Sequence, residues 1–180
     1  MSIVLNSDFV GKYELTLSDY SEPLIDAYIE KYEKVYLIKL LGGSLYDLFI
    51  ADLTNGVPTS AIYLSIFNPL YVDLFCGTLV SNGIKEMLIG FIYYHYTLDS
   101  DQLQTSVGVV SPKGENSVGT GMNGISASRF NDNVDSFRAI QSYIQDHSSD
   151  YPTFNGTEIK LNYSDRKSTR LNSSHDQRSR

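Results

Sequence analysis

The sequence predicts a mainly α-helical domain: an antiparallel helix bundle with an inserted extended loop or β-hairpin and a short C-terminal strand. Three observations lead there. Apolar residues recur at spacings of three and four in separate stretches on both sides of a non-helical, glycine-rich interval at about 101–124. Alternation of the β type is confined to short pieces, at 105–110 and 157–163. The 180 residues, 42% hydrophobic and 12% aromatic, suffice for one core and fall short of two, so residues 1–164 are expected to form a single helical domain.

The first helix is predicted from Ser21, a suitable N-cap, with Glu22 and Pro23 in the first turn. Leu24, Ile25, Tyr28, Ile29, Tyr32, Val35, Tyr36 and Leu40 form its apolar stripe, and Asp26, Glu30, Lys31, Glu33, Lys34 and Lys39 its solvated back. Gly42 and Gly43 interrupt it. Ser44 is then expected to cap a second helix running through Leu45, Phe49 and Leu53 and ending at Asn55-Gly56-Val57-Pro58. So short a connection implies that the two helices pack together. Residues 57–80 show no clean period and are cut by Asn68-Pro69, which suggests a buried loop or broken helix. Ile84 to Leu98, after Asn82-Gly83, reads as a largely buried, central helix. A last long helix, with Ile125, Phe130, Val134, Phe137, Ile140 and Ile144 on one face and Ser126 or Ser128 as its cap, ends near His147. Tyr151 to Gly156 turns the chain towards the final strand. No internal repeat is evident.

Charge and motifs exclude more than they assign. The formal charge of −7 conceals an asymmetry. Residues 165–180 carry five basic side chains against two acidic ones, a surplus of three, so the first 164 residues stand at −10. An acidic domain of this kind repels phosphate, which argues against nucleic-acid binding and fits a basic protein surface or a conduit that DNA crosses without sticking. No run approaches the roughly 20 apolar residues of a membrane span, and the first residues lack the pattern of a secretory signal. The expectation is a soluble, unexported chain. A lone cysteine, Cys76, makes no intrachain disulfide. The stretch from Asp165 to His175 resembles the translation of a sequencing-library adapter, so 165–180 is read as a disordered, non-native tail with the native C-terminus elsewhere.

Catalytic readings find little support. Outside the tail there are two histidines, and His95 falls within the apolar spacing of its helix, where a hydrogen-bonded structural role is expected. No zinc-ligand spacing occurs. Gly119 to Gly124 matches G-x-G-x-x-G, but without the βαβ pattern that gives that fingerprint meaning. Asp47, Asp52 and Asp73 lie among apolar neighbours and read as caps or structural hydrogen-bonding groups. A hydrolase-like site using Asp73, Cys76 and His95 is one competing reading, and a regulatory module that binds a host protein through 101–124 is another. No cofactor and no metal are expected.

Three stretches, taken together, resemble the head-tail adaptor or connector proteins of tailed phages, of the kind abundant in gut phages. Residues 28–49, YIEKYEKVYLIKLLGGSLYDLF, are similar to that family's Y-E-x-x-Y-L-x-x-L-L-G-x-x-L-Y-x-x-F segment. Residues 83–96, GIKEMLIGFIYYHY, resemble its G-L-K-E-M-L-x-x-F-I-Y-Y-E-Y helix, with His95 in place of an acidic residue. Thr105 to Val110 with Glu115-Asn116-Ser117 resembles its T-x-x-G-V-V … E-N-S loop. The resemblance implies a non-enzymatic virion protein, assembled in the bacterial host cytoplasm as a homo-oligomeric ring beneath the portal. Its partners would be the portal and other neck or tail proteins, with DNA only as passing cargo. A ring subunit needs extended segments for its neighbours. On this reading the contacts fall on Thr105, Val107, Val109, Val110, Glu115 and Asn116 in the insertion, and on Ile159, Leu161 and Tyr163 near the C-terminus.

Overall fold

A computed structural model describes residues 2–15, 22–75, 77–100, 103–105, 108–110, 122–154 and 161–163. The predicted tail, together with Val107, Glu115, Asn116 and Ile159, lies outside these residues. The architecture is mainly α. Two 3-10 turns, Asn6–Asp8 and Gly11–Tyr13, precede α1 (Glu22–Leu41) and α2 (Gly43–Asp52). A minimal hairpin follows, β1 (Leu53–Thr54) with β2 (Val57–Pro58), then α3 (Ala61–Phe67) and a longer hairpin of β3 (Leu70–Leu74) and β4 (Gly77–Ser81). The chain continues through α4 (Ile84–Ser100), the hairpin β5 (Leu103–Thr105) with β6 (Gly108–Val110), and α5 (Met122–Asp146). All three strand pairs are antiparallel.

α4 is the central helix, as its spacing suggested: Ile84, Met87, Leu88, Phe91 and Ile92 are fully enclosed, and the helix packs against both α1 and α5. The α1–α4 seam is aromatic. Tyr36 stacks on Phe91 with ring centres 4.1 Å apart, and Tyr32 lies flat on His95 at 3.9 Å. The α4–α5 seam closes through a glycine. A Cβ on Gly90 would meet Asn133 Nδ2 at 1.9 Å, so the absent side chain is what admits the buried Asn133, whose amide donates to Tyr13 Oη and to the Arg129 carbonyl.

Several local expectations are corrected. α2 is capped by the backbone of Gly42, at φ 74°, and Ser44 lies within its first turn. Residues 57–80 form a helix and a hairpin rather than a buried loop. The Asn55-Gly56 pair, with φ of 53° and 79°, makes the tight reversal between β1 and β2 that ends the second helix early. α5 begins at Met122, inside the predicted insertion. Neither Ser126 nor Ser128 caps it, and Ser126 is buried within hydrogen-bond distance of Thr97. Residues 161–163 carry no strand pairing.

The solvated back of α1 also needs revision. Glu33 is buried, while Leu24 and Val35 from the predicted stripe are exposed. Position 33 stands four residues after Ile29 and four before Leu37, both enclosed, so helical geometry turns it inward whatever its polarity. Its carboxylate is satisfied there: it accepts from Ile3 N–H at 3.1 Å, Val4 N–H at 3.0 Å and Ser2 Oγ at 2.7 Å. The N-terminal segment is thereby clamped onto α1.

Candidate functional site

The β3–β4 hairpin carries a cluster of exposed apolar side chains, Tyr71, Leu74, Phe75 and Val80, while others are scattered singly over the rest of the described surface. Its register pairs Tyr71 with Val80, Val72 with Leu79, and Asp73 with Thr78. Alternation along a strand therefore divides it into two faces. Leu70, Val72, Leu79 and Ser81 form the inner face, which rests on α5: Val72 is buried and Ser81 Oγ meets Ser136 Oγ at 2.6 Å. Tyr71 and Val80 stand opposite each other on the outer face at 71% and 59% exposure. At the tip, Leu74 is 41% exposed and Phe75 exceeds its reference exposure at 110%. The one charged side chain of the hairpin, Asp73, accepts a 2.6 Å hydrogen bond from Thr78 Oγ1. The base is thus anchored by the core and the apolar end stands free. No catalytic or binding motif marks it, but Leu-Tyr-Val-Asp-Leu followed by Phe-Cys-Gly-Thr-Leu-Val carries the alternation and the glycine that signal a hairpin.

The residues expected to make contacts are distributed differently. Thr105, Val109 and Val110 lie in the β5–β6 ladder, where Thr105 pairs with Gly108, Gln104 with Val109 and Leu103 with Val110. An extended insertion with hairpin pairing is therefore present. Leu161 and Tyr163 lie against α5. Arg138 donates to the Leu161 carbonyl at 3.2 Å and its guanidinium covers the Tyr163 ring at 4.2 Å, while Tyr163 Oη donates to Asp135. Residues 161–163 form a docked irregular segment, and residues 157–160 of the expected C-terminal strand lie outside the described residues.

Of the polar residues considered for catalysis, Asp52, Asp73 and His95 have structural partners, and Asp47 is exposed on α2. Asp52 accepts from the Ser60 and Thr59 N–H groups at 2.9 and 2.8 Å and from both hydroxyls, which hold its carboxyl below the usual range and tie α2 to the start of α3. His95 Nε2 lies 2.8 Å from Tyr36 Oη. Burial lowers the imidazole pKa and raises that of the Tyr36 phenol, which favours the neutral form of both partners. Asp73 and His95 are thus committed to separate partners on separate elements, and Cys76 lies outside the described residues. Among the described residues no group of three or more His, Cys, Asp or Glu side chains is placed to hold a metal, and no helix is long and apolar enough to cross a membrane.

A groove of about 680 Å³ opens between the N-terminal segment, α1 and α2. Leu5, Ile29, Leu37, Tyr46 and Ile50 are among its apolar lining, and Asp26, Glu30 and Glu33 against Lys34 give it an acidic balance. The Glu33 clamp fixes one wall. No protein-family model, curated protein or solved structure matches the chain.

Proposed function

We propose that this chain is a non-enzymatic structural subunit of a tailed-phage virion, part of the homo-oligomeric head-tail connector ring beneath the portal. In this reading the helices form an antiparallel bundle that serves as a scaffold, and the extended elements meet sister subunits, the portal and other neck or tail proteins. Assembly takes place in the host cytoplasm, with DNA passing as cargo. The observation that carries the reading is the exposed apolar end of β3–β4 on a body in which Asp52, Asp73 and His95 are occupied by structural hydrogen bonds. Burying one such large apolar side chain at a contact gains about 1.5–3 kcal/mol. The stretches that resemble the connector family coincide with α1–α2, α4 and β5–β6, which adds support.

Negative-stain microscopy of the chain with and without residues 165–180, alone and with a portal, tests this. Rings are the expected result. Deleting residues 106–121 is expected to leave the helical circular dichroism and melting nearly unchanged while abolishing assembly. Substrate turnover by a monomer, or collapse of the fold on that deletion, would overturn the proposal. Encoding beside portal and capsid genes is the corresponding genomic expectation.

A further inference from the structure

We propose that the groove between the N-terminal segment, α1 and α2 docks a basic, extended segment of another protein, one that sets an apolar side chain between lysines or arginines. The acidity of the chain as a whole fits a basic protein partner, and the groove gives that partner a place. The contact goes beyond the ring reading and does not depend on it.

Helical spacing builds the site. On α1, positions 26, 30 and 34 form one i,i+4 row and positions 29, 33 and 37 the next. The first row is exposed, the second is buried, and both line the groove. Leu5 from the N-terminal segment, with Tyr46 and Ile50 one turn apart on α2, supplies apolar surface that is exposed or half-buried. The groove therefore has an acidic side on α1 and an apolar side on α2 and the N-terminal segment. Successive side chains of an extended peptide point in opposite directions, so one short segment meets both. A volume of about 680 Å³ suits a few side chains and not a folded partner.

Charge selects the guest. Three carboxylates, Asp26, Glu30 and Glu33, stand against one ammonium, Lys34. Among the described residues Asp26 and Glu30 make no ion pair, the pairs there being Lys12 with Glu86 and Lys85 with Asp8. Glu33 is 7% exposed, and its donors, two backbone N–H groups and the Ser2 hydroxyl, are all neutral, so no described cation balances its charge. Buried charges are ordinarily paired. Burial raises the Tyr46 phenol pKa, and the Glu33 and Asp47 carboxylates act in the same direction, so the negative field extends to the apolar side. A cation relieves this field. An anionic guest is repelled, and an uncharged one takes water from the carboxylates without replacing it. The body of a second copy, with its first 164 residues at −10, is disfavoured on the same ground. A free polyamine leaves the apolar side uncovered, whereas an apolar side chain between two basic ones covers it. The Glu33 clamp holds the N-terminal wall on α1 beforehand, so little ordering is needed on docking.

The test titrates the full chain into a fluorescein-labelled peptide, Gly-Arg-Leu-Arg-Leu-Lys-Gly, followed by fluorescence anisotropy at about 0.15 M salt, where exposed charges more than about 8 Å apart are largely screened. Saturable binding of one peptide per chain is expected. Asp26→Asn with Glu30→Gln, both at exposed side chains, is expected to weaken it at least about tenfold. Asp132→Asn with Asp146→Asn, exposed on α5 and outside the groove, removes the same charge and is expected to change affinity by less than about twofold. Circular dichroism confirms that both variants fold. Replacing the two leucines of the peptide with serine is expected to weaken binding about tenfold as well. Absence of saturation up to about 1 mM overturns the proposal, as does equal weakening by the two pairs of substitutions, which assigns binding to overall acidity. A serine peptide or spermine that binds as tightly as the leucine peptide assigns the groove to a free polycation and equally overturns it. Ring formation is read without the peptide, so this proposal and the ring reading fail separately.

Discussion

Glu33 shows how one residue changes role between sequence and structure. As a charged residue it belongs to the solvated face of α1, yet it closes the N-terminal segment through two backbone N–H groups and a serine hydroxyl. Glu33→Ala leaves those buried donors without an acceptor and is expected to destabilise the fold by about 3 kcal/mol. Chemical denaturation gives the magnitude, and faster amide exchange at Ile3 and Val4 would localise it. Equal stability with unchanged exchange would show that the clamp contributes nothing. His95 provides a pH signature. Burial is the main cause of its lowered pKa, with Lys31 and Lys39 acting in the same direction and Asp99 opposing them. Because the folded pKa lies below the unfolded value of about 6.5, the unfolded state binds the proton first, and stability falls as pH drops from about 6.5 through the folded pKa. His95→Phe, which keeps a ring against Tyr32, should lose this part of the slope. Parallel stability profiles for the two proteins between pH 8 and pH 5.5 would contradict the assignment.

At the scale of elements, reversals decide which pieces can pack. Gly83 stands between β4 and α4 at φ +99°, and a Cβ there would meet the Phe67 carbonyl oxygen at 2.5 Å. Gly83→Ala therefore carries both backbone strain and a clash with main chain, for an expected loss of about 2–4 kcal/mol. Gly43, at the start of α2, has no atom within 4 Å of a built Cβ, and its alanine variant should be neutral or stabilising by up to about 1 kcal/mol. Melting temperatures of the pair provide the check, and similar shifts would refute the argument. The longer helices were legible because their apolar spacing runs over many turns. β1–β2 and β3–β4 were not. Their strands are two and five residues long, and Ile62 to Phe75 sets a short helix directly before a strand, two mostly apolar pieces parted only by Asn68-Pro69 and each too short for periodicity to identify. The Asn55-Gly56 signal was present, but its flanking strands are too short to display alternation.

For the whole molecule, acidity and the exposed hairpin act against each other. On the proposed oligomeric reading, net negative charge opposes association and the exposed apolar tip favours it. Screening weakens only the first, so raising ionic strength from about 0.05 to 0.5 M is expected to strengthen self-association. Sedimentation at several salt concentrations tests the sign, and association that weakens with salt would point to a polar contact instead. Of the residues expected to make contacts, Leu161 and Tyr163 are held on the molecule's own surface by Arg138 and Asp135, with Tyr163 still exposed.

The sequence by itself determined a mainly helical chain, the approximate extent of α1 and α4, the C-terminal end of α5, the central place of α4 and an inserted β-prone segment, because each follows from local periodicity or its interruption. Tertiary structure alone decided that Glu33 turns inward, that Gly90 makes room for Asn133, and that Phe75 faces solvent while Val72 is covered. Those outcomes depend on which elements meet in space, a property set by packing among distant residues and invisible to spacing along the chain.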